Sequence, residues 1–533
     1  MEYNLTRVGS GQEGKVSKSG LLTASALSRR NLLAGSAALM VGGRASAAWS
    51  QEAAPKKGGR LRAALTGAST SDTFDPGLYG SEFTSIMGFT FGNCLVEIDQ
   101  NNRLVPELAE SWEPSGDLRT WRFKLRPGVT FHNGKTLDAQ DVIDSMNRHR
   151  GAETKSAMSG VMKPVTDITA DGSTIVVSLA EGNADFPWVL AAQHAIIMPA
   201  GTKDYTKAVG TGAYEVVEFE PGVRLLGKRN ANYWKEGRAH FDEVELLGIG
   251  DQTARLNALL TGEADAINRL STRTVERLEG NSAITVLNVT GFRHATMPMR
   301  VDTAPFDNLD VRLAMKYAMN REDILQRVLR GFGTLGNDHP VSPIQEFYAS
   351  ELPQRAYDPD KAKFHLKKAG YETITVDLVT AEAAFNGAVD AAVLYKEQAA
   401  ASGITINVKR EPDDGYFQKN WLIVPWCMSY WSGRPTADAI LTLGYSAGAA
   451  WNECKWNNPR FNELLVAARV EPEHAKRQAM YAEMQQLVSD DNGNLIPFFM
   501  NHVYARQSTV QSSGEAGTYE MDGYRMAERW WFS

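Results

Sequence analysis

Apolar positions along the chain follow two patterns in succession, and together they predict strands that are each followed by a helix. Trp121, Phe123 and Leu125 alternate with polar residues, as on one face of a strand. A Pro-Gly turn follows, and Asp138 and Asp141 then mark the acidic first turn of a helix. The same succession recurs at STIVVSLAE before DFPWVLAAQ, FDEVELLGI before TARLNALLTGEADAI, and ETITVDLVT before AVDAAVLYKEQAAASG. Strands that alternate with helices predict an α/β fold.

The N-terminal segment has the pattern of an export signal. Arg29 and Arg30 precede an apolar run over 32–41, and the small residues of 45–48 read ASAA, a typical cleavage site. Paired arginines indicate the twin-arginine route to the periplasm. The apolar run is shorter than the roughly 20 residues that span a bilayer, and no cysteine at the cleavage site offers a lipid anchor. We therefore expect residues 1–48 to be removed and the mature chain to have no direct membrane anchor.

Length and charge narrow the classes of function. The 533 residues are enough for about three domains. Loss of residues 1–48 removes six basic and two acidic residues from totals of 56 and 63, so 50 minus 61 gives a mature net charge of −11. Nucleic acids and anionic membranes are bound through clustered Lys and Arg. The sequence thus predicts that neither is a partner.

Signals for catalysis or for a cofactor are weak. GYSAG, with Ser446 at its centre, matches the serine-hydrolase motif, and Asp490 or Asp491 with His502 would complete a triad, so a secreted serine hydrolase is the alternative hypothesis. The motif needs a strand before it and a helix after it, and its surroundings favour an irregular loop. GFGTLG at 331–336 follows a helical segment, which favours a helix cap over a dinucleotide site.

The histidines and cysteines suggest no metal site. The nine histidines include no H-x-x-x-H pair, and no metal-ligand spacing joins Cys94, Cys427 and Cys454, so we expect no cofactor. The sequence does not decide whether Cys427 and Cys454 form a disulfide.

Four ordered segments resemble the family 5 extracellular solute-binding proteins, the dipeptide-, oligopeptide- and nickel-binding components of ABC importers. They span almost the whole mature chain, and they read LVPELAESWEPSGDLRTWRFKLRPGVTFHNGKTLDAQDV, VGTGAYEVVEFEPGVRLLGKRNANYW with FDEVELLGIGDQTARLNALLTGEADAI, FDNLDVRLAMKYAMNREDI, and YDPDKAKFHLKKAGY. The resemblance implies a non-enzymatic, monomeric binding protein that delivers a small solute to an ABC permease in the inner membrane. It also implies that GYSAG lies in a loop beyond the ligand cleft.

The resemblance further implies a fold like that of type II periplasmic binding proteins, with two lobes, an extra domain, and the ligand between the lobes. Domain I would comprise 58–90, 205–290 and 500–533, domain II, the extra domain, 91–204, and domain III 291–499. Strands near 290 and 500 would form the hinge.

The stretch PWCMSYWSGRPTADAIL, residues 425–441, fits no clean helix or strand period and reads as a bend. In peptide-binding relatives the equivalent stretch lines the cleft, and an aspartate in it holds the peptide's α-ammonium. Here the two alignments of that position give Trp431 and Ser429, so the acid is missing. The arginine that holds the peptide carboxylate in dipeptide-binding relatives is missing as well, where this chain reads AEAAFNGAVD.

These differences argue against a plain dipeptide and for a modified peptide, an opine or a sugar conjugate. Nickel is disfavoured because the sequence lacks a histidine cluster. The positions that the resemblance places against the solute are Glu82, Phe83, Arg293, Glu382, Phe385, Tyr430, Trp431 and Arg434.

Overall fold

The structure, a computed structural model, describes residues 55–278 and 280–533. The predicted signal segment, residues 1–48, lies outside the described residues. Within the described ranges, none of the helices combines the length and the apolarity that a membrane crossing demands. Cys94, Cys427 and Cys454 are all buried and free, so Cys427 and Cys454 form no disulfide.

A mixed seven-stranded sheet is built around β1 (Arg60–Leu65). β1 pairs in parallel with β10 and β11, and the outer pairings are antiparallel. In spatial order the strands are β12 (Ile284–Val289), β20 (His502–Gln507), β11 (Ala266–Ile267), β1 (Arg60–Leu65), β10 (Glu243–Gly248), β9 (Arg224–Arg229) and β8 (Tyr214–Glu220).

The segment between β1 and β8 carries a smaller antiparallel sheet. Its strands, in spatial order, are β4 (Ala109–Pro114), β5 (Thr120–Leu125), β7 (Thr174–Leu179) and β6 (Val165–Asp171), with the hairpin β2 (Val96–Ile98) and β3 (Leu104–Pro106) before it. The predicted alternation on β5 is confirmed, because Trp121, Phe123 and Leu125 are all buried.

A third set of strands lies between residues 294 and 500. One sheet contains β14 (Gly333–Leu335), β19 (Phe498–Met500), β13 (His294–Pro298) and β17 (Ser429–Trp431), with β18 (Asn494–Leu495) also on β13. In the same region, β15 (Ile374–Thr380) and β16 (Ile404–Arg410) form a parallel pair. Outside it, near the C-terminus, β21 (Val510–Gln511) and β22 (Trp531–Phe532) form a short antiparallel pair.

The helices begin at capping side chains where the sequence offers them. Asp138 and Asp141 form a reciprocal capping box at the start of α2, which confirms the predicted helix there. The helices are α1 (Glu82–Phe91), α2 (Ala139–Asn147), α3 (Ser159–Met162), α4 (Phe186–Val189), α5 (Gln252–Thr261), α6 (Thr272–Val275), α7 (Leu309–Tyr317), α8 (Arg321–Val328), α9 (Pro359–Lys368), α10 (Ala388–Ala400), α11 (Tyr416–Asn420), α12 (Ala437–Tyr445), α13 (Pro459–Val470), α14 (His474–Asp491) and α15 (Met526–Arg529), with a 3₁₀ turn at Pro76–Leu78.

Two sequence predictions need correction. The stretch at 425–441 is a short strand, β17, followed by the helix α12, rather than a bend. The helix predicted in DFPWVLAAQ is only the four residues of α4. Asp185 stands at its N-cap position, but its carboxylate pairs with Arg477 instead of capping the helix.

The hydrophobic cores divide the chain into two lobes. Two clusters of buried side chains draw on residues 61–278 and 503–530, and two others draw on residues 295–498. We call these bodies the first lobe and the second lobe. The chain passes between them twice, from β12 to β13 and from β19 to β20.

A buried network of charges joins three segments of the first lobe. Lys235 donates to Glu107 and Glu528, both at 2.8 Å, and Arg525 donates to both carboxylate oxygens of Glu107 at 2.8 and 2.9 Å. The carboxylates of Glu97, Glu107 and Glu528 lie within 4.8 Å of one another. Burial opposes ionisation, but Lys235 and Arg525 hold the pKa of Glu528 down to about 2.

We expect Lys235→Met to destabilise the first lobe strongly. The substitution removes one of the two cations, Lys235 and Arg525, that contact all three buried carboxylates. Breaking a buried ion pair from one side costs about 3–5 kcal/mol. Urea unfolding followed by tryptophan fluorescence measures the loss. The matched control is Lys124→Met, which removes an exposed lysine paired with Glu110 at 2.6 Å in the same lobe. An equal loss of stability in both variants would contradict the role of the network.

Candidate functional site

A cavity of about 740 Å³ opens between the two lobes. This volume falls in the range of roughly 300–1,000 Å³ that is typical of small-molecule sites. The first lobe contributes Arg269 and Glu520 to its walls, and the second lobe contributes Arg293, Glu382 and Tyr430. The cavity lies beside both chain crossings, so an occupant contacts both lobes.

Strand pairing determines which residue of β17 faces this cavity. β17 runs antiparallel to β13 with Ala295 opposite Tyr430, and Thr296 opposite Ser429. Side chains alternate between the faces of a strand, so Tyr430 points away from the side occupied by Ser429 and Trp431. The guanidinium of Arg293, just before β13, lies over the Tyr430 ring at 4.8 Å from its centroid.

Arg293 is a largely buried cation that lacks a carboxylate partner among the described residues. Its Nε is buried and has no hydrogen-bond partner there. Burial and then the neighbouring Arg269 lower the pKa of Arg293. A buried charge is costly unless an opposite charge or hydrogen bonds compensate it. The positive charge of Arg293 is thus not balanced by a carboxylate of the described residues.

The wall formed by the first lobe holds a pair of opposite charges. Arg269 donates to Glu82 at the start of α1. The backbone of Arg269 lies in the left-handed region, with φ of +47°, which is unusual for a residue other than glycine. Such strain concentrates at functional sites because the surrounding structure must enforce it.

Glu520 lies beside this pair and precedes a left-handed turn. Met521 and Asp522 have φ of +54° and +58°. Burial, and next the charge of Glu82, raise the pKa of Glu520 to about 7. His502, whose Nδ1 is 4.0 Å from Glu520, has a pKa lowered to about 4 by burial and stays neutral near pH 7. Glu520 is therefore only partly ionised at neutral pH.

Arg434 is a second cation without a carboxylate partner among the described residues. Its guanidinium lies 6.0 Å from the centroid of the Trp431 ring, and its Nη1 donates to the carbonyl of Gly433 at 2.6 Å. Burial lowers its pKa, and the nearby Tyr519 of the first lobe raises it to a smaller extent. Arg434 thus lies on the second lobe where the two lobes meet.

The structure brings only some of the predicted site residues together. Arg293, Glu382, Phe385 and Tyr430 line the cavity, although Phe385 is buried and packs edge-on against Phe498. The remaining four do not line it: Glu82 bonds Arg269, Phe83 is buried in the first core, Trp431 is buried on the opposite face of β17, and Arg434 lies beside Trp431.

Arg269 and Glu520 are cleft residues that the sequence reasoning missed. Arg269 is the second residue after β11, and Glu520 belongs to the segment EAGTYEMDGY near the C-terminus. The only hint of a functional role for Glu520 in the sequence is that it is an acidic residue in a segment rich in glycine and tyrosine. Glu520 belongs to the segment that follows β20, and β20 is a neighbour of β11 in the large sheet.

The hydrolase motif lacks the geometry that it needs. Ser446 follows the helix α12 rather than a strand, and its hydroxyl donates to the carbonyl of Thr442 at 2.6 Å. Asp491 accepts from Trp456 at 2.8 Å, and His502 lies in the first lobe with its Nε2 3.2 Å from the carbonyl of Gly517. These groups form no triad, so the alternative hypothesis is not supported.

Comparisons with known proteins agree with this geometry. The model of the bacterial extracellular solute-binding proteins, family 5 Middle, matches residues 103–452. The glutathione-binding protein GsiB of Pectobacterium atrosepticum is 25% identical over 448 residues, covering 80% of this chain and 87% of the relative. The dipeptide-binding protein of Escherichia coli is 25% identical over 470 residues, covering 79% and 86%.

A solved structure shares the fold across most of the chain. The periplasmic binding protein AgaA from A.tumefacien R10, in complex with agropinic acid, has a TM-score of 0.70 and 21% identity, covering 89% of this chain and 99% of its own. Together with the cavity between two lobes, the family match over more than half of the residues is decisive. The chain belongs to family 5 of the bacterial extracellular solute-binding proteins, the solute-binding components of ABC importers.

Proposed function

We propose that this protein captures a peptide-like solute with at least one carboxylate in the periplasm and delivers it to an ABC permease in the inner membrane. Within that class, a modified peptide, an opine or a sugar conjugate fits better than a plain dipeptide. Export by the twin-arginine route and a monomeric state belong to the same proposal. The observation that carries it is the unpaired guanidinium of Arg293 in the cavity between the lobes.

The charges around the cavity favour an anionic group. Arg269 is paired with Glu82, whereas Arg293 has no carboxylate partner among the described residues. Glu520, with a pKa raised to about 7, offers less than a full negative charge. A carboxylate pairs with a guanidinium through two parallel hydrogen bonds and removes the cost of the buried cation. Arg293 is therefore the group that we expect to bind the solute's carboxylate.

The missing ammonium anchor points away from an ordinary peptide. Ser429 is buried and lies on the face of β17 opposite Tyr430, so it contributes no charge to the cavity. The carboxylate of Glu82 already accepts a hydrogen bond from Arg269, so it does not replace the missing aspartate. The relatives widen the range of chemistry, since GsiB binds glutathione and AgaA was solved with agropinic acid. Glutathione has two carboxylates and a side-chain peptide linkage, so it belongs to the proposed class.

Closure of the lobes would couple capture to delivery. The lobes already touch away from the hinge, where Arg477 donates to Asp185 at 2.7 Å and the amide of Ala184 donates to the carbonyl of Arg469 at 2.9 Å. A solute that contacts both lobes stabilises the closed state by its differential affinity for that state. We assign 58–90, 205–290 and 500–533 to domain I, 91–204 to domain II and 291–499 to domain III.

We expect Arg293→Met to weaken the binding of glutathione or agropinic acid at least tenfold, because the solute's carboxylate loses its buried partner. Isothermal titration calorimetry measures the change. For the intact protein, ligand at about 100 times its dissociation constant should stabilise the fold by about 2.7 kcal/mol.

The matched control is Arg273→Met. Arg273 lines the same cavity, but it is exposed and lies 3.6 Å from Asp390. Its loss should change the affinity little. If Arg293→Met binds both solutes as tightly as the intact protein, Arg293 is not the anion site. If neither solute binds the intact protein, the proposed solute class needs revision.

The affinity for a carboxylate-bearing solute should rise as the pH falls through about 7. Protonation of Glu520, whose pKa is raised to about 7, removes a negative charge from the cleft. Arg269 and Arg293 stay charged over this range and His502 stays neutral. The gain ends near pH 4, where the solute's own carboxylate takes up a proton. Titrations between pH 5.5 and 8.5 test this, and Glu520→Gln should flatten the profile. A slope that persists in that variant would assign the pH dependence elsewhere.

A further inference from the structure

A second cavity of about 610 Å³ lies between the lobes, and it shares no lining residue with the first. The first lobe lines it with three tryptophans: Trp112, Trp121 and Trp188. The second lobe lines it with residues 344–346 and with His474 and Arg477 at the start of α14. An occupant would thus bridge the same two lobes at a separate place.

The tryptophans form an apolar wall: Trp112 and Trp121 lie on the smaller sheet and Trp188 on α4. Trp121 is buried on β5, and its Nε1 donates to the carbonyl of Asn183 at 3.1 Å. Trp112 stands on β4 opposite Phe123, and Trp188 is a half-buried residue of α4. Indole rings offer large, flat apolar faces with low conformational freedom. Ligands with a flat, weakly apolar face suit such a wall.

The polar part of the cavity contains an acceptor that is not used. One carboxylate oxygen of Asp185 accepts from Arg477 at 2.7 Å, and the other, Oδ2, is buried and accepts no hydrogen bond from the described residues. Arg477 is held in place because its guanidinium also lies over Phe347, 4.7 Å from the centroid. A buried acceptor without a donor is costly, so a hydrogen-bond donor from a ligand would complete the site.

We propose that this cavity binds a sugar ring, with one hydroxyl donating to Asp185 Oδ2 and the apolar face of the ring against Trp188. Sugars combine hydroxyl donors with C–H faces, which match the carboxylate and the tryptophans in one ligand. A purely aromatic ligand would leave Oδ2 without a donor. The lining carries two arginines, Arg103 and Arg477, and two acids, Asp185 and Glu346, so it favours a ligand without net charge, as most sugars are.

The side-chain amides near the opening support this choice. Asn101 and Asn102 line the cavity, and Asn102 accepts from the hydroxyl of Thr518 at 2.7 Å, which leaves its amide N–H groups for a ligand. An amide supplies both donors and acceptors, as sugar hydroxyls require. This site shares no residue with the proposed carboxylate site, so the two proposals can be tested separately.

The test is saturation-transfer difference NMR on the mature protein with maltose, cellobiose and chitobiose as probes. We expect transfer to the ring protons of at least one disaccharide, and calorimetry then gives its dissociation constant. Trp188→Ala should weaken that binding at least tenfold, and Trp188→Phe should restore much of it by returning a flat ring.

The controls separate the two cavities. Trp451→Ala removes a tryptophan of the second lobe that is 44% exposed and lies outside the cavity, and it should leave sugar binding unchanged. Arg293→Met should also leave sugar binding unchanged, whereas Trp188→Ala should leave glutathione binding unchanged. The proposal is overturned by the absence of transfer from all three sugars, by equal transfer in Trp188→Ala, or by its loss in Arg293→Met.

Discussion

The buried ion network of the first lobe is the constraint on which the rest of the structure depends. Its carboxylates come from β2, from the segment after β3 and from α15, and its cations from Lys235 and the C-terminal arginines. None of these charges is tolerable in the interior unless all the segments meet at one point. The hairpin β2–β3, the segment between β9 and β10, and the C-terminal segment are thereby held together. The proposed closure depends on such a body, because a solute can move the lobes as units only if each lobe is rigid.

The same C-terminal segment connects this network to the cleft. Glu520 lies on the cavity wall, and Arg525 and Arg529 are embedded in the network a few residues later. The left-handed residues between them are held because Asp522 accepts from the amide of Ala516 at 2.8 Å and from Arg529 at 3.0 Å. Charges in the network are paired by protein groups, whereas Arg293 in the cleft is not. The contrast is consistent with a structural role for the network and with the proposed anion-binding role of Arg293.

Local patterns allowed much of the fold to be predicted. The alternation on β5 and the capping acids of α2 act within a few residues, so the sequence alone reveals them. α4 is shorter than predicted, and at its start the carboxylate of Asp185 pairs with Arg477 of the other lobe, a contact that no local pattern can show. In the cleft, family resemblance pointed to Arg293 and Tyr430. Arg269 and Glu520 were missed because no motif marks either residue and they line one cavity only in the folded chain.

Strand geometry places some of the aromatic residues at 425–441 in the core of the second lobe and one of them in the cleft. Trp426 is buried in the core and donates to the carbonyl of Met297 at 3.3 Å, and Trp431 packs against Trp451 in the second lobe. Only Tyr430, on the other face of β17, reaches the cleft, where it lies under Arg293. The ring thus limits how far the guanidinium can move without neutralising it. An arginine held in this way keeps its hydrogen-bond donors. In the proposed function, the aromatic stretch therefore contributes mainly by holding the charge of Arg293 in place.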